Sequence, residues 1–217
     1  MKQKRKQWMH RAAAFVTAVC MAVLCVPVGE TAQIRQVQEV LTSPVTALAY
    51  KTSGTCGDDV TWTFDPDSAT LTISGTGDMW DYDSYSNLSP WNKEIIDPSH
   101  YTRLRELIKH VIIEPGVTAI GNYLCAYMSN LQSVSIPSTV TRIGEYAFFM
   151  CCGLTGELII PNSVTSIGQS AFSDCCGFTS LTIGNSVTSI DNFAFGYCVG
   201  FTSIVVDDAN TMYDSRG

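Results

Sequence analysis

Between Leu107 and Phe201 the apolar positions recur at a fixed interval. Aligned on one isoleucine, the copies are Ile120, Ile143, Ile167 and Ile190, with steps of 23, 24 and 23 residues. Three residues before each anchor stands valine (Val117, Val140, Val164, Val187), and seven before it isoleucine (Ile113, Ile136, Ile160, Ile183). Nine before it come Val111, Val134, Leu158 and Leu181; five after it, Cys125, Phe148, Phe172 and Phe195; eleven after it, Leu131, Leu154, Phe178 and Phe201. A period of this length marks an array of stacked supersecondary units. Within a unit, Ser133-Val134-Ser135-Ile136 alternates as a short strand with one buried face. Pro137 to Thr141 is turn chemistry. Ile143 to Phe148, with apolar residues at the anchor, plus four and plus five, predicts a single helical or 3₁₀ turn. One such unit buries nothing alone. Stacked, each inward column meets its copy at about 4.7–4.9 Å, so the pattern predicts an α/β or mostly β solenoid of about four rungs and a partial fifth.

The strings Ser135–Cys151 (SIPSTVTRIGEYAFFMC), Ile159–Cys175 (IIPNSVTSIGQSAFSDC) and Thr182–Cys198 (TIGNSVTSIDNFAFGYC) resemble the BspA-like, or treponemal-type, leucine-rich repeats. The likeness lies in valine, turn, "IG", and "AF" followed by cysteine, and it covers roughly half the chain. It implies a curved leucine-rich-repeat solenoid in secreted or surface-attached bacterial proteins that bind host or matrix proteins, with no catalytic residues and no cofactor. The first copy departs from the pattern, with Leu124-Cys125 in place of Ala-Phe and Met128 in place of the cysteine, as suits a rung next to a cap.

The rest of the chain divides around this array. Five basic residues (Lys2, Lys4, Arg5, Lys6, Arg11) precede the uncharged, largely apolar run Ala12–Val28. That is the layout of an export signal, assigned to residues 1–32, with cleavage as late as Ala49 as the alternative. The run is at the short limit for a membrane span. Residues 33–53 read as a linker. Residues 54–106 read as an N-terminal β cap and lead-in: Val60-Thr61-Trp62-Thr63-Phe64 and Leu71-Thr72-Ile73-Ser74 form a hairpin across Asp65-Pro66-Asp67-Ser68, covering the open end of the first rung. "SGTCG…LTISGTGDM" resembles the short module that precedes such repeats. Leucine-rich repeats then occupy residues 107–217. After Ser203-Ile204-Val205-Val206 the segment Asp207–Ser215 leaves the template, and the last rung is expected to be incomplete, as in a fragment of a longer protein or beneath a covering partner.

Charge narrows the list of partners. The chain carries 13 basic and 20 acidic residues, a net of −7. Without residues 1–32 the count is 8 against 19, a net of −11, with no basic stripe for nucleic acid or anionic lipid. The charge argues against nucleic acid, while the resemblance implies a host, matrix or other bacterial surface protein as partner; no membrane insertion is expected once the signal is removed.

Candidate chemistry is sparse. The three histidines, His10, His100 and His110, have no nucleophile at motif spacing. In the tract Trp80–Trp91 the Asp81/Asp83 spacing suits calcium, but the later glycine and glutamate of such a loop are missing. Its aromatics are expected to pack on the cap; the rival use of Trp80, Tyr82, Tyr85 and Trp91 is carbohydrate binding. Seven cysteines follow the signal. Cys151, Cys175 and Cys198 share one column and are read as a buried thiol ladder. Cys152 and Cys176 share the next, where an exported protein permits a disulfide between rungs. Strand alternation turns Val134 and Ile136 inward. The outward residues Ser133, Ser135, Glu157, Ile159, Ser180, Thr182, Ser203 and Val205 then form the candidate ligand face. Three functions compete: a non-catalytic adhesive repeat protein, a repeat module of a larger surface enzyme, and a carbohydrate-binding unit.

Overall fold

The computed structural model describes residues 50–97 and 101–215. The expected export signal and all but the end of the expected linker lie outside the described residues.

Two ladders build the solenoid. The first is made by the alternating segments. In the cap, β1 (Ser53–Thr55), β2 (Val60–Asp65) and β3 (Thr70–Gly75) run antiparallel, β2 burying Val60, Trp62 and Phe64. The short β4 (Gly77–Asp78) comes next. Between cap and repeats lie the four-residue helix α1 (Pro90–Lys93), the antiparallel pair β5 (Ile95–Asp97) and β6 (Thr102–Arg103), and a 3₁₀ turn (Leu104–Glu106). Trp91 is fully buried, and its indole N–H donates to the Leu124 carbonyl at 2.9 Å, pinning this lead-in to the first rung. The cap does more than lie against the first rung. Strand β3 pairs in parallel with β7 (His110–Ile113), placing Leu71 beside Val111 and Ile73 beside Ile113. The hairpin is thus a rung of the same columns, and among the described residues cap and repeats make one compact unit.

The second ladder carries the anchors. β8 (Val117–Ile120), β10 (Arg142–Ile143), β12 (Ser166–Ile167) and β14 (Ser189–Ile190) pair in parallel, with Ile120, Ile143, Ile167 and Ile190 side by side. β4 closes its N-terminal end. The glycine after each of the first three anchors permits this stacking. A Cβ on Gly144 would sit 2.7 Å from the Asn122 backbone nitrogen, and one on Gly168 2.7 Å from that of Glu145.

The anchor segments therefore do not form the predicted helical or 3₁₀ turns. Their amides bond across rungs, and each anchor leads into a run of tight turns. The residues at plus three and plus seven (Tyr123 and Tyr127, Tyr146 and Met150, Ser170 and Asp174, Phe193 and Tyr197) have positive φ, which no helix of L-residues sustains. The turns are held by contacts to the next rung, as in Tyr146 N–H to Gln169 O (2.9 Å), Phe148 N–H to Ala171 O (2.7 Å) and Met150 N–H to Ser173 O (2.9 Å). Inside, Phe148, Phe172 and Phe195 stack at centroid distances of 5.1 and 5.7 Å. Cys151, Cys175 and Cys198 are buried beside them, each thiol donating to a carbonyl one rung earlier at 3.0–3.2 Å.

The last segment also keeps the register more closely than its sequence suggests. Asn210 follows Val187, and Tyr213 follows Ile190, by the same 23 residues. The Asn210 amide donates to Gly184 O and Val187 O at 2.9 and 3.1 Å, and the Tyr213 hydroxyl accepts from Ile190 N–H at 3.1 Å. Polar side chains here do the work that apolar packing does in earlier rungs.

Candidate binding surface

The strand wall is not continuous. β7 pairs with β9 (Ser133–Ser135), while β11 (Gly156–Ile160), β13 (Phe178–Ile183) and β15 (Ser203–Val206) make a separate three-stranded sheet. No pairing joins β9 to β11. The cause is legible in the 24-residue step. From the plus-eleven leucine to the strand isoleucine, Leu131–Ile136 and Phe178–Ile183 each span five steps; Leu154–Ile160 spans six. The surplus lies at Thr155-Gly156-Glu157, where the β11–β13 register shifts and Gly156 takes φ +81. The displaced backbone forms a bulge that terminates pairing. Without a strand over them, Val134 and Ile136 are only half-buried, not enclosed as alternation predicts, whereas Leu158, Ile160, Leu181 and Ile183 are buried.

A cavity of about 330 Å³ opens at this break, floored by Leu154, Leu158 and Phe178 and flanked by Val134 and Ile136. Four of the eight candidate face residues, Ser133, Ser135, Glu157 and Ile159, line it. The others continue the face across the second sheet, with Glu157, Ser180 and Ser203 in one row and Ile159, Thr182 and Val205 in the next. Glu157 accepts a hydrogen bond from the Thr182 hydroxyl at 2.8 Å. Ile159 and Val205 stand more than half exposed, and Ile112 43% exposed, so single exposed apolar residues alternate with Ser135 and Thr182 along this row. The one-residue insertion is the signal that locates this cavity; reading the face by alternation alone misses it.

The aromatic tract of the cap is divided. Trp91 is core, Tyr82 is buried, and Tyr85 is exposed beside a different hollow. Trp80 and Tyr82, joined by Trp62, line a cavity of about 510 Å³ rimmed by Lys51, Lys93 and Glu94. Trp80 is fixed by its indole N–H to Asp58 at 2.9 Å. Asp83 closes its own loop: Tyr85 N–H, Ser86 N–H, the Ser86 hydroxyl and Asn87 N–H all donate to it at 2.6–3.0 Å. These bonds hold its carboxyl well below the usual carboxylate range. Asp81 instead accepts from Asn122 N–H at 2.9 Å and lies 3.7 Å from Arg142. Among the described residues no helix is long and apolar enough to cross a membrane.

Comparison with known proteins agrees with this architecture. Nothing matches among curated proteins. Among solved structures, a leucine-rich repeat protein from Eubacterium ventriosum is similar with a TM-score of 0.55 and 24% identity, over 76% of this chain and 47% of that one. The chain thus spans about half the length of that relative. The T. pallidum leucine-rich repeat protein is similar with a TM-score of 0.44 and 20% identity, over 75% of this chain and 70% of its own. The family model described as "BspA type Leucine rich repeat region" matches residues 95–216 in six copies. It begins before the four anchors, and the fully buried Ile108 precedes Leu131 by the same 23 residues. The chain belongs to the BspA-type leucine-rich repeat family.

Proposed function

We propose that this is an exported, non-catalytic repeat protein of the bacterial surface. It binds a host, matrix or other surface protein through its strand face, with the cavity between β9 and β11 as the anchor point. The observation that carries this reading is that four face residues meet around one apolar hollow where two strand edges are left unpaired. Interfaces draw most of their binding energy from a few apolar or aromatic side chains seated in such hollows. At about 330 Å³ the cavity is at the small end of ligand pockets, which suits one large side chain of a partner. The export half rests on the basic-then-apolar start of the chain and on the family resemblance. The test is capture of secreted and surface proteins on the immobilised mature chain. A partner retained by wild type and by Tyr197→Ala, but lost with Ile159→Asp, supports the reading. Equal retention by Ile159→Asp refutes it.

A second reading has its own observation. The cap cavity brings Trp62, Trp80 and Tyr82 together with charged groups at its rim, an arrangement that fits a saccharide. Glycan-array binding that disappears in Trp80→Ala would favour it. Binding unchanged by that substitution would exclude it.

A further inference from the structure

We infer that Cys152 and Cys176 form a site of thiol oxidation, joined as a disulfide by exchange with a low-molecular-weight disulfide. The two residues close the turns of consecutive rungs, those carrying β9 and β11, and the rung-to-rung bonds just before them keep the turns in register. Both thiols lie against one atom. Cys152 donates to the Asp174 carbonyl at 3.2 Å, and Cys176 reaches the same oxygen at 3.7 Å. The same two rungs pair through β10 and β12, a strand spacing of about 4.7–4.9 Å, inside the Cα separation of roughly 4.4–6.8 Å that a disulfide spans.

Selectivity comes from exposure. Cys152 and Cys176 are exposed, whereas Cys56, Cys125, Cys151, Cys175 and Cys198 are buried. Burial pushes the Cys56 thiol up to about 12 and raises Cys151 and Cys175 strongly, so those sulfurs do not supply the thiolate that exchange requires. The same column holds Ser129 one rung earlier and Val199 one rung later, which confines the bond to this pair. Partial burial, then Cys176 and Asp174, raise the Cys152 thiol, so exchange is faster above neutral pH.

The chemistry balances. One protein thiolate attacks a sulfur of the small disulfide and expels one thiolate, leaving a mixed disulfide. The second protein thiolate attacks the protein sulfur of that bond and expels the other. Two protein thiols are oxidised, and one small disulfide is reduced to two thiols. The bond would link the two rungs whose strands are unpaired, adding a covalent tie on the turn side, where amide bonds and ring stacking already join them.

The experiment is incubation of the reduced full chain with glutathione disulfide at pH 8, then native alkylation, proteolysis after Glu157 and mass spectrometry. The expected product has lost two hydrogens, carries no alkyl group on Cys152 or Cys176, and links the peptides on either side of Glu157. Its unfolding midpoint rises by about 5–10 °C and returns on reduction. Cys152→Ser, isosteric with Ser129 of the preceding rung, should lose the link; Cys151→Ser should keep it. Two mixed disulfides without a link, continued alkylation of both residues, or a link that survives in Cys152→Ser would each overturn the proposal.

Discussion

Deleting Gly156 converts Leu154–Ile160 to the spacing of Leu131–Ile136 and Phe178–Ile183, and should let β11 zip onto β9. The strand pair formed would resemble β7–β9, which matches three residues. Two or three added backbone bonds are worth about 0.5–1.5 kcal/mol each. Removing one ordered residue spares a further 1–2 kcal/mol or so of backbone entropy. Some of this is lost to reshaping the turn, leaving roughly 2–4 kcal/mol of added stability. For a unit of this size, about 2–4 °C per kcal/mol places the midpoint roughly 5–15 °C higher. Thermal unfolding reads the shift. Hydrogen exchange should show new protection in Glu157–Ile160, and the partner captured through the cavity should be lost, because the cavity is filled by pairing. A control separates conformation from spacing: Gly156→Ala keeps the extra residue but strains a backbone at φ +81, so it should destabilise by about 1 kcal/mol and leave the gap open. A deletion that lowers the midpoint without new protection would refute the idea that one surplus residue splits the wall.

Other outcomes rest on the same geometry. Phe172→Ala removes a fully buried ring from between Phe148 and Phe195 and should cost about 3–5 kcal/mol in urea unfolding. Asn210→Ala strands two carbonyls and frees the amides of Met212 and Tyr213, which bond its side-chain oxygen; a loss of about 2–4 kcal/mol is expected, with faster proteolysis of residues 207–215. The carboxyl of Asp83 titrates below its unfolded value, so its contribution is whole above about pH 4 and fades as the pH falls further. The amides of Tyr85 to Asn87 should therefore exchange faster in acid, and Asp83→Asn should flatten that dependence.

How much of this is legible in the amino-acid sequence depends on which force fixes each feature. The anchor columns were legible because burial repeats: Ile120, Ile143 and Ile167 are 0–1% exposed and paired side by side. The cysteine ladder was legible for the same reason. The anchor turns were misread because their apolar spacing also fits a helix, while the deciding fact, left-handed backbone at residues such as Tyr146 and Met150, has no glycine to advertise it. Spacing does not reveal Leu71 and Ile73 as column members, because about forty residues, not 23, separate them from Val111 and Ile113. Asn210 and Tyr213 were hidden by chemistry: hydrogen bonds replace apolar contacts at those columns. The split in the strand wall was present as one extra residue, yet side-chain alternation on either side of it looks normal.

That a single residue can open the wall without unstacking the rungs has a structural reason. The rungs bearing β9 and β11 touch along three lines, and the insertion affects one. On the second, Arg142 and Ile143 still pair with Ser166 and Ile167. On the third, Phe148 stacks on Phe172 at 5.1 Å while the turn amides bond across. Nearest-neighbour stability in a solenoid sums over such contacts, so losing a few strand bonds weakens one interface without ending the array. The strand wall is therefore the side where the sequence can vary at least cost. A cavity formed there by an insertion exposes apolar core and two strand edges together, and a partner that supplies a side chain and a length of backbone would recover the contacts that the bulge removed.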